Sequence, residues 1–158
     1  MKIRTAIANE LNKLLEVRNL SAQFGCRFAY SPEQLTAWLN RPLPEKMLKL
    51  LNEGFVLVAE EQDQIVGYGA IDPANNEVEA IFVIPSCVGQ GIGRVLLGAL
   101  ESLARDLNLA ELQLFASLNA VSFYRGAGYV SSKQGEFSLN GSLVLEYEKM
   151  GKRLCATA

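Results

Sequence analysis

Ile81-Phe82-Val83-Ile84-Pro85-Ser86-Cys87-Val88-Gly89-Gln90-Gly91-Ile92-Gly93-Arg94 is the stretch on which the fold turns. A run of β-branched and aromatic residues ends at a proline, and three glycines follow at alternate positions. Beyond them Ile92, Val95, Leu96, Ala99, Leu100, Leu103 and Leu107 recur at the spacing of one helix face. The segment therefore predicts a buried strand, a tight turn and an amphipathic helix. Glycine permits positive φ and lets backbone approach a ligand closely. The first turn of the helix offers unpaired N–H groups and the positive end of the helix dipole, a ready seat for a phosphate or pyrophosphate.

Upstream of this turn lie three strand-like runs, Phe55–Glu60, Gln64–Ile71 and Glu77–Ile84, joined by the short polar links Glu61-Gln62-Asp63 and Asp72-Pro73-Ala74-Asn75-Asn76. Links this short favour antiparallel neighbours, because a parallel crossover needs a dozen or more residues. Before them, Lys2 to Ala6 reads as an edge strand, and Leu11, Leu14, Leu15, Val17 and Leu20 mark a helix from about Ala8 to Phe24. Tyr30-Ser31-Pro32-Glu33-Gln34 is a helix start, with Ser31 as cap, Pro32 at the first helical position and Gln34 completing a capping box. Leu35, Trp38 and Leu39 share a face of that helix. Pro42 and Pro44 break it, and a further helix runs from about Glu45 to Asn52, stopped by Gly54.

Downstream, the amphipathic helix leads to a short apolar strand, Leu112–Ala116, reached by a helical crossover and so parallel to its predecessor. A helix over about Leu118–Gly126, a strand at Tyr129–Ser132, the turn Leu139-Asn140-Gly141 and a last strand at Leu143–Lys149 complete the chain. An antiparallel meander feeding one βαβ crossover is a mixed α/β architecture: a mostly antiparallel sheet of six to seven strands with helices on both faces. No repeat or linker divides it, so residues 1–158 are expected to form a single domain.

Composition narrows the chemistry. Net charge is −2 with no basic cluster, which argues against nucleic acid or an anionic membrane surface as partner. No uncharged apolar stretch approaches the roughly 18 residues of a membrane span, and the polar N-terminus lacks a signal-peptide pattern. The three cysteines, Cys26, Cys87 and Cys155, are widely spaced and read as free thiols of a reducing compartment, the cytoplasm. The chain has no histidine. That removes Ser-His-Asp hydrolysis, Cys-His nucleophiles and most zinc chemistry, and no metal is expected. Proton transfer falls to a carboxylate, tyrosine, lysine, cysteine or water.

Three readings compete for the glycine turn. A P-loop needs Gly-Lys-Ser/Thr, but Gly93 is followed by Arg94-Val95. A dinucleotide-binding turn needs its third glycine one place beyond Gly93 and an acidic residue closing the next strand, where Phe115-Ala116 stands. The third reading is a coenzyme A pyrophosphate loop. Here Val88-Gly89-Gln90-Gly91-Ile92-Gly93, preceded by Ile81-Phe82-Val83-Ile84-Pro85, resembles the Arg/Gln-x-x-Gly-x-Gly/Ala hallmark and Leu-Tyr-Val-x-Pro strand of the GNAT N-acetyltransferase superfamily. Val88 departs from the family's Arg or Gln, so contacts there would come from backbone. The resemblance implies a GNAT-like fold, acetyl-CoA as acyl donor, and a small-molecule or peptide amine as acceptor; a homodimer is compatible with it.

A second signature, Ser117-Leu118-Asn119-Ala120-Val121-Ser122-Phe123-Tyr124 with Gly128-Tyr129, resembles the family's Asn-x-x-Ala-x-x-Phe-Tyr-x-x-x-Gly-Phe segment, with Asn119 shifted by two places. The resemblance makes Tyr124 the acid that protonates the departing thiolate; the alternative is that it packs a helix face with Phe123. A phenol near pKa ~10 and a thiol near ~8.5 are close enough to share a proton in a transition state. Glu77 is aligned by resemblance with the glutamate that deprotonates the amine through water. Glu79 lies roughly 7 Å further along the strand and is the second candidate. Strict alternation would put both on the face of Ile81 and Val83, and either can instead be a solvated or ion-paired strand carboxylate.

The resemblance further implies that the pantetheine arm pairs with backbone around Ile81, Phe82 and Val83. The pyrophosphate would rest on the segment from Val88 through Arg94, with Asn119, Phe123, Tyr124 and Arg125 beside it. Arg94 and Arg125 are phosphate neighbours on this view and ordinary exposed arginines otherwise. Cys87 reads as incidental, having no histidine to activate it. Phe28, Tyr30 and Trp38 are expected near the acceptor groove, Trp38 chiefly as core. The expected reaction is direct attack of an amine on acetyl-CoA in a ternary complex; the alternative is a non-catalytic acyl-CoA-binding regulatory module.

Overall fold

The computed structural model describes residues 1–155, and its centre is one sheet in the order β1-β2-β3-β4-β5-β7-β6. The strands are β1 (Lys2–Thr5), β2 (Val56–Glu61), β3 (Gln64–Asp72), β4 (Glu77–Val83), β5 (Glu111–Ser117), β6 (Val130–Asn140) and β7 (Leu143–Arg153). Every neighbouring pair is antiparallel except β4 and β5. The mixed, mostly antiparallel sheet expected from the short links is therefore the one found. The C-terminal hairpin is longer than its apolar pattern predicts: β6 begins near the expected place but runs to Asn140. Most of its residues are exposed, so the strand carries no alternation to betray it.

The helices are α1 (Leu11–Gly25), α2 (Pro32–Leu39), α3 (Lys46–Asn52), α4 (Ile92–Asp106) and α5 (Val121–Gly126). The start of α2 is the predicted capping box. Ser31 Oγ accepts from the Gln34 N–H at 3.1 Å, and Gln34 Oε1 accepts from the Ser31 N–H at 2.8 Å. On one face of the sheet Leu14, Val17, Met47 and Leu50 of α1 and α3 pack on Val56, Val58, Tyr68 and Ala70. On the other, Leu97, Leu100 and Ala104 of α4 and Val121 of α5 pack on Ile71, Val78, Leu112 and Met150. Fully buried side chains of this kind contribute about 1.5–3 kcal/mol each. Among the described residues no helix is long and apolar enough to cross a membrane.

The sheet is split in the middle. β4 pairs with β3 along its length and β5 pairs with β7, but β4 and β5 meet at only one position, Glu77 opposite Gln113. β4 also carries a bulge: Ala80 faces Ala70 and Val78 faces Ile71, leaving Glu79 as the extra residue. A bulge bends and overtwists its strand, here close to where the two strands part. It also breaks the period of two. Ile81 packs with the α4 side of the core, while Ala80 and Phe82 pack with the α1 side. Glu77 and Glu79 thus lie on the face of Phe82, not on that of Ile81 and Val83 as strict alternation predicted.

Candidate active site

A cavity of about 620 Å³ fills the split. Its walls are Glu77 to Phe82 of β4, Leu114 to Ser117 of β5, Tyr124 of α5, Tyr30 of the α1–α2 link and Trp38 of α2. Glu77, Glu79, Ile81, Phe82 and Tyr124, all singled out from sequence, are brought together here. Val83, the turn from Val88 to Arg94, Asn119, Phe123 and Arg125 lie outside the cavity wall.

The open edge of β4 has a defined polarity. The Ile84 N–H donates to the Val66 carbonyl at 2.9 Å, and Phe82 stands opposite Tyr68 on β3. Because backbone groups alternate sides along a strand, those of Ile81 and Val83 face the split. Phe82 offers the cavity its side chain instead, tilted against Tyr68 at 5.7 Å and Trp38 at 6.4 Å between ring centroids.

At the end of the split the glycine turn behaves as its composition requires. Gly89 and Gly91 both have φ of 84°, and a Cβ on either would meet nothing within 4 Å, so an open cradle surrounds the backbone. Gly91 occupies the N-cap of α4 without a side chain to cap the helix, leaving its first N–H groups to other partners. Ile92 is buried in the core and anchors the turn, whereas Val88 and Arg94 are exposed. The Phe123 ring lies 3.4 Å from where a Gly93 Cβ would stand, so α5 packs against the first turn of α4 at this position. The residues present therefore fit a pyrophosphate held by backbone.

Tyr124 is buried, its ring edge-on to Phe123 at 5.1 Å and to Tyr129 at 5.7 Å. Among the described residues no group hydrogen-bonds its hydroxyl, and burial pushes the phenol well above its ordinary value. Across the cavity, burial and then the neighbouring Glu79 charge push the Glu77 carboxyl up to about 7. The oxygens of Asp72, Glu77 and Glu79 lie within 4.8 Å of one another. Lys46 reaches over from α3, its Nζ 2.6 Å from Glu79 Oε2 and 3.2 Å from Asp72 Oδ2. Sequence reasoning missed Lys46, since nothing in the spacing of a short helix links it to carboxylates on two strands.

Two other residues have roles that spacing could not show. Asn119 accepts a hydrogen bond from the Cys26 thiol at 3.1 Å and so ties the entry of α5 to the end of α1. Tyr30 accepts from the Leu118 N–H at 3.0 Å and donates to the Glu146 carbonyl at 2.5 Å, bracing the cavity wall. Burial raises the Cys26 thiol to about 11, which leaves it inert as a nucleophile.

The acetyltransferase (GNAT) domain family matches residues 26–150. The crystal structure of a GCN5-related N-acetyltransferase from Rhodopseudomonas palustris, also designated a class-II aminotransferase, aligns with a TM-score of 0.87. It is 28% identical and covers 97% of this chain and 95% of its own. The uncharacterized N-acetyltransferase YjcF of Bacillus subtilis is 31% identical over 100 residues, which are 62% of this chain and 71% of YjcF. The fold is shared too by yncA of Salmonella typhimurium, solved with its cofactor acetyl-CoA, at a TM-score of 0.69 and 24% identity over 100% of this chain and 96% of that one. The chain belongs to the GNAT acetyltransferase family and is an acetyl-CoA-dependent N-acetyltransferase.

Proposed function

We propose that the protein transfers acetyl from acetyl-CoA directly to an amine, with Glu77 as base and Tyr124 as acid. The observation that carries this is the pairing in one cavity of a carboxyl raised to about 7 and a phenol held protonated by burial. Glu77 takes a proton from the attacking amine, directly or through one water, and its pKa lets it do so near neutrality. The amine nitrogen bonds to the thioester carbon as the carbon–sulfur bond breaks. The Val83 N–H, aimed into the split, stabilises the developing oxyanion. Tyr124 gives its proton to the leaving thiolate, which shares the same poorly solvated site and is itself more basic there than in water.

Ile81 and Val83 backbone groups pair with the pantetheine arm in the manner of an added strand, and the N–H groups from Gly89 to Arg94 take the pyrophosphate. Tyr124→Phe is the decisive variant. It should lower kcat by about 10²-fold or more and leave the acetyl-CoA dissociation constant, measured by calorimetry, near that of the wild type. A kcat equal to wild type would remove Tyr124 from the mechanism.

A further inference from the structure

The same cavity carries a charge that acetyl transfer does not use. Arg18 of α1 is 4% exposed and lines the cavity wall. Its guanidinium donates to the Arg41 carbonyl at 2.6 Å, the Pro42 carbonyl at 3.4 Å and Asn19 Oδ1 at 3.1 Å. All three acceptors are neutral, and a guanidinium has five N–H donors, so its charge and part of its fork remain unmatched. Among the described residues no carboxylate lies within ion-pair distance of it, and burial pushes its pKa down. A buried cation without a counter-ion is costly unless something else supplies the negative charge.

The same cavity is lined by the carboxylates of Glu77 and Glu79. Burial above all raises the Tyr68 phenol, and the charges of both groups reach it: Arg18 opposes that rise and Glu79 adds to it. The wall between them is apolar, formed by Tyr68, Phe82 and Trp38. We infer that the acceptor is an amine that also bears a carboxylate, with Arg18 as the residue that binds the carboxylate while the amine lies at Glu77. This deepens the acetyl-transfer reading and rests on it for the position of the amine. The other cavity arginine, Arg41, also meets only neutral carbonyls, those of Ser138 and Leu139, but it is exposed, so water rather than a ligand satisfies its charge.

Two measurements separate this proposal from the reaction it builds on. By calorimetry with CoA present, 3-phenylpropanoate, a carboxylate without an amine, should bind the wild type and bind Arg18→Gln about ten- to a hundredfold more weakly, the loss of a charge-assisted pair. Arg18→Lys, which keeps the charge but not the fork, should fall between them; it decides the matter if melting curves show Arg18→Gln to be poorly folded. In acetylation assays, phenylalanine should be preferred over 2-phenylethylamine, and leucine over 3-methylbutylamine, by tenfold or more in kcat/KM. That preference should collapse in Arg18→Gln through KM rather than kcat. A wild type that fails to bind the carboxylate, or that prefers the simple amines, overturns the assignment. Arg18-dependent carboxylate binding with no acetylated product from any acceptor would uphold the anion site and sink the transfer reading instead.

Discussion

The proposed base, Glu77, owes its raised carboxyl to its surroundings rather than to its own chemistry. Burial and the Glu79 charge raise it, Lys46 partly opposes them, and about 7 is the result. Accordingly kcat/KM should rise as pH passes through about 7 and level above it. Glu77→Gln should lose that inflection along with about 10²-fold or more of the rate, as a pH series on both proteins would show. The same shift has a stability consequence. The folded value lies above the ordinary 4.5, so the native state holds this proton longer than the unfolded chain. Its burden on stability is absent below about pH 4.5, grows from there to about 7 and is fully present above. Melting curves should therefore show Glu77→Gln gaining on the wild type at pH 8 relative to pH 5. At this scale the sequence singled out Tyr124 and Glu77 through motifs, and the structure brings both to the wall of one cavity. It was silent on Lys46 and Arg18, whose meaning depends on strands and loops remote in the chain, and it placed Asn119 beside the pyrophosphate without showing that its side chain turns to Cys26.

Among the elements, the strand–turn–helix around Gly91 was the most legible, because positive φ, a missing cap and an amphipathic face each leave a local mark. Gly91→Ala places a Cβ at φ of 84°, which costs roughly 1–2 kcal/mol, and it puts a methyl group into the cradle. The expected outcome is a lower melting temperature together with weaker acetyl-CoA binding, the latter read by calorimetry at a temperature where the variant is fully folded. β4 was legible only in part. Its boundaries followed from its apolar run, but the extra residue at Glu79 has no sequence signature, and one unpaired residue moves two carboxylates to the other face. β6 was the least legible, since an exposed edge strand needs no apolar pattern.

For the molecule as a whole, mixed topology followed from link lengths, and the C-terminal half is secured by a polar tie that joins α4 and β7 to the link between α5 and β6. Buried Glu101 of α4 accepts from the Tyr129 hydroxyl at 2.8 Å and from Lys152 Nζ of β7 at 3.0 Å, and Lys152 also donates to the Ala127 carbonyl at 2.9 Å. Lys152→Met leaves Glu101 short of its cation and should cost about 2–3 kcal/mol in urea unfolding, while the pH inflection assigned to Glu77 stays in place.

The split between β4 and β5 gives this sheet the statics of an arch built without its keystone. Two half-sheets lean on α4 and α5, and the amides of Ile81 and Val83 have no strand to bond. Whatever extended chain enters there completes the span, so loading with acetyl-CoA should stiffen the molecule across its middle and not merely at a pocket. Hydrogen exchange would read this directly: slowed by tenfold or more at Ile81 and Val83 on loading, unchanged at Phe82, whose partner on β3 is already in place.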